Sequence, residues 1–247
     1  MNETRDLRDD NRGSARASDS DDRTREFLLI GLTFAAGVVD AVSYLGLGNI
    51  FTANMTGNVV FLALAVGERS LPTALHSVGA LIGFCLGAVF AGQILGRAKP
   101  SVPWPPRVTW VLLGELAFMV AFGLGWVLLA GRPDGAALYL LIGLSSFGMG
   151  MQNAAARHLA VPALTTTVMT MALTGFMVDL PAVGLSTPTQ RRGALAVVAL
   201  FSGAAVGGTL MVFARTIPPF LTIGAILGVA GIAYLRFGRP AAAGAES

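Results

Sequence analysis

Asp40 is the residue with the strongest reason to do chemistry. It stands well inside the apolar run that begins at Phe27 and ends at Gly48. A short carboxyl at that depth does not reach water, and placing it there costs about 2.5–3.5 kcal/mol on insertion scales. Such acids bind an ion or proton, mark a solute pathway, or glue helices together. Ser43 and Tyr44 follow at i+3 and i+4, on the same helix face. Just downstream, FTANMTGN (51–58) sets Thr52, Asn54, Thr56 and Asn58 at alternate positions, with Gly57 among them. On an unbroken helix the two Thr would face away from the two Asn. An extended backbone points all four the same way. The expectation is a broken helix, eased by Gly57, whose polar row lines a cavity with Asp40. The competing reading has these groups bonding only to carbonyls or neighbouring helices, as is common in membranes.

A second polar group lies further along. Gln152 and Asn153 precede the Thr-rich LTTTVMT (164–170), whose Thr165, Thr166, Thr167 and Thr170 supply with them the counterpart of the first polar group. Arg157, one turn beyond Asn153, is the expected ion-pair partner of Asp40. Glu115 lies early in its apolar run and either reaches the interface or faces inward. Asp179 precedes Pro181 and reads as interfacial. His76 and His158 are far apart, with no Cys or carboxylate cluster beside them, so no metal and no cofactor are expected. Ser-His-Asp, phosphate-loop, dinucleotide and zinc-peptidase patterns do not occur, so the expectation is not an enzyme.

The elements that must hold these residues follow from composition. Of 247 residues, 54% are hydrophobic and only 13% charged, with mean hydropathy +0.68. A soluble domain carries about 25% charged residues. The first 26 residues hold 14 of the 31 charged side chains, too polar a stretch to offset its ordering entropy. It reads as a disordered cytoplasmic tail (1–26), followed by one transmembrane domain (27–236) and a short flexible tail (237–247). The run from Phe27 is too long for a signal peptide and reads as a retained membrane helix.

Eight apolar segments are expected, at about 27–48, 51–67, 74–96, 108–130, 136–157, 162–185, 193–214 and 218–236. Lipid offers no partners to backbone amides, so the class is all-α, a polytopic membrane protein. Helix breaks fall near 46–58 and 158–165, the latter at Pro162. Segment length favours eight crossings. The positive-inside rule favours six, with the 97–107 loop and Arg191–Arg192 on the side of the N-terminus and Arg69, Arg132 and Arg215 opposite. Either count puts both termini in the cytoplasm of a cell membrane. The pI near 9.6 comes from charges spread over loops, with no basic patch for nucleic acid. The expected partners are the lipid bilayer and an unidentified small solute, and a homo-oligomer stays open.

The chain also echoes itself. LGAVFAGQIL (86–95) lies over SGAAVGGTLM (202–211), matching Gly87 to Gly203, Ala88 to Ala204 and Gly92 to Gly208. GVVDA (37–41) meets GMQNA (150–154), setting Asp40 against Asn153, and FTANMT faces LTTTVMT with one inserted residue. Two similar halves result, about 27–130 and 136–236, each of four segments. In transporters built this way the site lies between the halves near the midplane. Three crossings per half would invert one half against the other.

GVVDAVSYLGLGNIFTANMTGN (37–58) resembles the signature of the YoaK-like proteins, a bacterial family of integral membrane proteins with a domain of unknown function. Asp40, Ala41, Tyr44, Phe51, Met55, Thr56, Gly57 and Asn58 fit that pattern. GMGMQNAAAR (148–157) and TTTVMTMALT (165–174) are similar to the family as well. The resemblance runs from about 27 to 236. It implies a six- to eight-helix protein of the cytoplasmic membrane and supplies no substrate. Residues and resemblance together lead to an expected carrier of a small solute, with Asp40 holding a coupling proton or cation. The rival is a membrane scaffold or sensor that transports nothing.

Overall fold

The computed structural model describes residues 3–98, 100, 102–161, 174 and 188–237. Among them the regular structure is entirely helical: α1 (Glu3–Gly46), α2 (Met55–Glu68), α3 (Leu71–Leu95), α4 (Pro106–Leu128), α5 (Gly135–Leu159), α6 (Pro188–Phe213) and α7 (Pro218–Phe237). Six helices are long and apolar enough to cross a membrane: Ser20–Gly46 of α1, α3, α4, α5, α6 and α7. The short α2 is apolar but does not reach that length. Seven of the eight expected segments therefore have a helix. The remaining one, 162–185, lies outside the described residues apart from 174, and with it Pro162, Thr166, Thr170 and Asp179.

The charged stretch read as a disordered tail is the first part of α1, which is helical from Glu3. Nucleation is the costly step of helix formation. The membrane-spanning part of α1 supplies a nucleus, and no proline between 3 and 46 stops its extension.

Close glycine contacts set how the helices pack. A Cβ added at Gly37 of α1 would strike the Leu200 carbonyl and lie 2.9 Å from the Ala204 nitrogen of α6. One added at Gly150 of α5 would strike the Phe84 carbonyl and lie 2.9 Å from the Ala88 nitrogen of α3. Gly203 abuts the Phe34 carbonyl, and Gly87 abuts the Phe147 carbonyl. Contacts advance together along both pairs, so α1 and α6 run parallel, as do α3 and α5. Small residues let helix backbones approach closely where lipid gives no hydrophobic drive between helices. Around these pairs α1 also meets α7, α4 meets α5, and α4 meets α7.

The two ends of the bundle differ in charge. At the end where the α1 span begins, Glu26 pairs with Arg192 of α6 and Asp21 with Arg236 of α7 at 2.9 Å. Arg25 bonds the Pro103 carbonyl at 3.5 Å, and Trp104 stacks on Phe237. The 97–107 loop thus lies at this end. At the other end Arg215 donates to the carbonyls of Gly131 at 2.7 Å and Leu45 at 3.1 Å. It ties the end of α1 to both loops there. Trp126 is fully buried and donates to the Arg215 carbonyl at 2.7 Å.

Candidate functional site

Asp40 reaches across a chain break to hold the start of α2. After Gly46 the backbone turns through Gly48 (φ 84°) and Asn49 (φ 61°), and helix resumes at Met55. The Asp40 Oδ1 accepts from the Ala53 amide at 2.8 Å and the Asn54 amide at 3.4 Å. Asn54 holds the cap position of α2, yet its side chain makes no cap bond. The first amides of a helix lack internal partners. Here a carboxylate from another helix accepts from the two amides just ahead of the first turn, beside the positive end of the helix dipole. The break near 46–58 is thereby a consequence of Asp40 as much as of its glycines.

The polar row around Asp40 does not converge as expected. Thr52 is fully buried, and its hydroxyl bonds Ser145 of α5 at 2.8 Å. Asn58 is also fully buried: its Oδ1 accepts from the Phe51 amide at 2.9 Å and its Nδ2 donates to the Phe51 carbonyl. One side-chain amide thus satisfies the peptide groups that the break leaves open. Asn54 and Thr56 are exposed. The reason is geometric. Within 51–58 only 51–54 are irregular, and on α2 Thr56 and Asn58 are separated by about 200° of helix turn. Gly57 is corrected too: it lies in the first turn of α2, not in the break. Its lack of a side chain makes room for Phe51, whose Cδ2 would be 2.6 Å from an added Cβ.

The face shared by Asp40, Ser43 and Tyr44 divides in the same way. Ser43 is buried and donates to the Asp40 carbonyl at 3.1 Å. Tyr44 is exposed and stacks on Phe51 at 5.5 Å, with Phe61 beyond it. Phe51, Tyr44 and Phe61 form an aromatic shelf next to the exposed Asn54 and Thr56.

On α5, Gln152 is buried and donates to the Leu32 carbonyl at 3.1 Å, while its Oε1 has no hydrogen-bond partner. Asn153 donates to the Met149 carbonyl of its own helix at 3.0 Å. Arg157 is exposed near the end of α5, and the expected Asp40–Arg157 pair does not form. Leu32 and Gln152 are level on antiparallel helices. Asp40 lies two turns one way and Arg157 more than one turn the other, a separation of about 20 Å at 1.5 Å per residue. Glu115 faces inward: it is fully buried, and neither carboxyl oxygen has a partner. Ser145 was not singled out beforehand; its only signal was GLSSFG (143–148), a pair of hydroxyls in an apolar run. Among the described residues no three His, Cys, Asp or Glu gather to hold a metal.

Residues 28–234 match the profile of DUF1275, described as a protein of unknown function. The chain belongs to this family. It is also 38% identical over 156 residues to the UPF0700 transmembrane protein YoaK of Bacillus subtilis (strain 168), covering 63% of this chain and 67% of that protein. No solved structure matches the chain significantly. The resemblance drawn from 37–58 is thus established, and with it an uncharacterised multi-pass membrane family.

Proposed function

We propose that the chain is a non-enzymatic carrier of a small polar solute, built from two inverted copies of one helical unit. The unit α1, α3, α4 is answered by α5, α6, α7, running in opposite directions through the bilayer. One observation carries the reading: Gly37 meets Leu200 and Ala204 as Gly150 meets Phe84 and Ala88. The equivalences agree with the sequence echo, in which Gly37 faces Gly150 and Ala88 faces Ala204. Inverted halves with a broken helix between them are the architecture of many secondary transporters. The break at 47–54 is held by Asp40 and joined to the second half through Thr52 and Ser145.

The geometry also favours a class of solute. The Asp40 carboxylate lies beside the positive end of α2 and disfavours an anion there. The exposed Asn54 and Thr56 beside the aromatic shelf suit a neutral or cationic solute, which can hydrogen-bond to the amide and hydroxyl and lie against the rings. Asn54→Cys and Thr56→Cys, in a Cys85→Ala background, test for a watered path. A membrane-impermeant methanethiosulfonate should label both in proteoliposomes, and Asn58→Cys should stay silent. Two unreactive positions in folded protein would turn the reading toward a scaffold, which the internal saturation of Thr52 and Asn58 would then explain.

We infer further that the protein sits in the cell membrane with both termini cytoplasmic. Arg97, Arg107, Arg191, Arg192 and Arg236 belong to the end of the bundle where the α1 span begins, and only Arg69, Arg132 and Arg215 belong to the other. That imbalance supports the orientation. A reporter inserted in 97–107 should be active as a cytoplasmic fusion and inactive as a periplasmic one. The reverse result would overturn both the orientation and the six-span count.

A further inference from the structure

One buried acid takes no part in the contacts of Asp40. Glu115 of α4 is completely shielded and unpartnered, whereas Asp40 is held by two backbone amides. Gln152 Oε1 of α5 is a second buried acceptor without a donor. Both are placed by a notch at Gly148 of α5, Glu115 by contact and Gln152 by helix position. The Cγ of Glu115 lies 3.7 Å from where a Cβ of Gly148 would stand, and Gly148 and Gln152 are one turn apart on the same face of α5. Helical side chains lean toward the start of their own helix. α4 and α5 are antiparallel, since Gly114 meets Met151 and Gly125 meets Leu141. Glu115 therefore leans toward the level of Gln152, and Gln152 leans back toward the level of Gly148. Met119 closes the notch, with its Cε 2.6 Å from the Gly148 Cβ position. Gly148 is close to the midpoint of α5, so the notch sits at mid-depth in the bundle.

Two acceptors with no donor call for a ligand that brings a hydrogen. An ionised carboxylate left bare in an apolar interior costs several kcal/mol. A divalent cation needs about six or more oxygen ligands, and Glu115 and Gln152 bring only the carboxyl and one amide oxygen without partners. A proton needs one acceptor to bind and a second to receive its hydrogen bond. We propose that Glu115 is an internal proton-binding site, with Gln152 Oε1 accepting the hydrogen bond of the protonated carboxyl, and that this proton is the coupling ion of the carrier proposed above. Loading takes a proton from water onto one carboxylate oxygen, and unloading returns it to water. No other charge intervenes. Leu144–Gln152 of α5, Leu32–Val39 of α1 and Ile226–Ala233 of α7 carry no titratable side chain. Asp40 lies about one turn further along α1, bound to the α2 amides. On α3 the titratable groups are His76, packed on Gly48, and the exposed Cys85.

Infrared difference spectra of the full-length protein in phosphatidylethanolamine–phosphatidylglycerol vesicles test the site. Lowering the pH should raise a protonated-carboxyl carbonyl band that survives in Asp40→Asn and vanishes in Glu115→Gln. Gln152→Leu should shift the band to higher frequency, because the carboxyl loses its acceptor. A band that persists unaltered in Glu115→Gln overturns the proposal. Should Glu115→Gln not fold, dicyclohexylcarbodiimide on the wild-type protein decides: a Glu115 adduct that declines as pH rises supports the site, and its absence removes it. Neither measurement involves solute flux. A titrating Glu115 in a protein that moves no solute would leave the proton site standing and end the carrier reading.

Discussion

Exchange of Asp40 for leucine is expected to cost about 2–3 kcal/mol and to detach the start of α2 from α1. The carboxylate is the acceptor for the Ala53 and Asn54 amides, and Ala53 is buried where water cannot take over. Each shielded amide left without a partner costs about 1–3 kcal/mol. Asp40→Asn keeps one carbonyl oxygen in place but loses the charge. A neutral acceptor is weaker than an ionised one, so a loss of about 1 kcal/mol is expected. The order of stability should be Asp, then Asn, then Leu, read as falling midpoints of thermal unfolding in detergent. Amide hydrogen exchange over 51–58 should accelerate in the same order, while α4 and α5 stay protected. A leucine variant that melts with the parent and exchanges no faster over 51–58 would show that the start of α2 is held by something other than this carboxyl.

The prediction exposes what could be read from the residues and what could not. An acid in an apolar run has few partners to choose from, so Asp40 was legible as a special residue. The break at 46–58 was legible for a related reason: alternating polar groups fit no continuous lipid-facing helix. Which way each group turned was not legible, because that depends on where helix resumes. Resumption at Met55 puts Asn58 inward, over the Phe51 peptide groups, and leaves Thr56 out. A restart two residues later would reverse both. Arg157 was misjudged for want of a helix direction: it is one turn from Asn153 in sequence and at the far end of the bundle from Asp40. The same missing information concealed Glu115, whose inward face is defined only by its neighbours on α5.

The glycine seams carry the second large effect. Gly37→Ala and Gly150→Ala each push one methyl into a backbone carbonyl, of Leu200 and of Phe84. A backbone cannot swing aside as a long side chain can, so the helices must part along the seam. Overpacking costs about 1–3 kcal/mol in tolerant cores, and both substitutions should fall at or beyond the top of that range. Gly92→Ala is the control: it lies in α3 with nothing within 4 Å of its Cβ. There helix propensity alone acts, and stability should rise by up to about 1 kcal/mol. If α1–α6 and α5–α3 are copies of one contact, Gly37→Ala and Gly150→Ala should lower the unfolding midpoint by similar amounts. The comparison reaches beyond packing. Inverted halves exchange roles as a carrier turns from one side of the membrane to the other, and two interfaces of unequal strength would bias it toward one orientation. A large loss at Gly37 with none at Gly150 would mean that the matching contacts are coincidental, and with them the inverted duplication on which the transport reading stands.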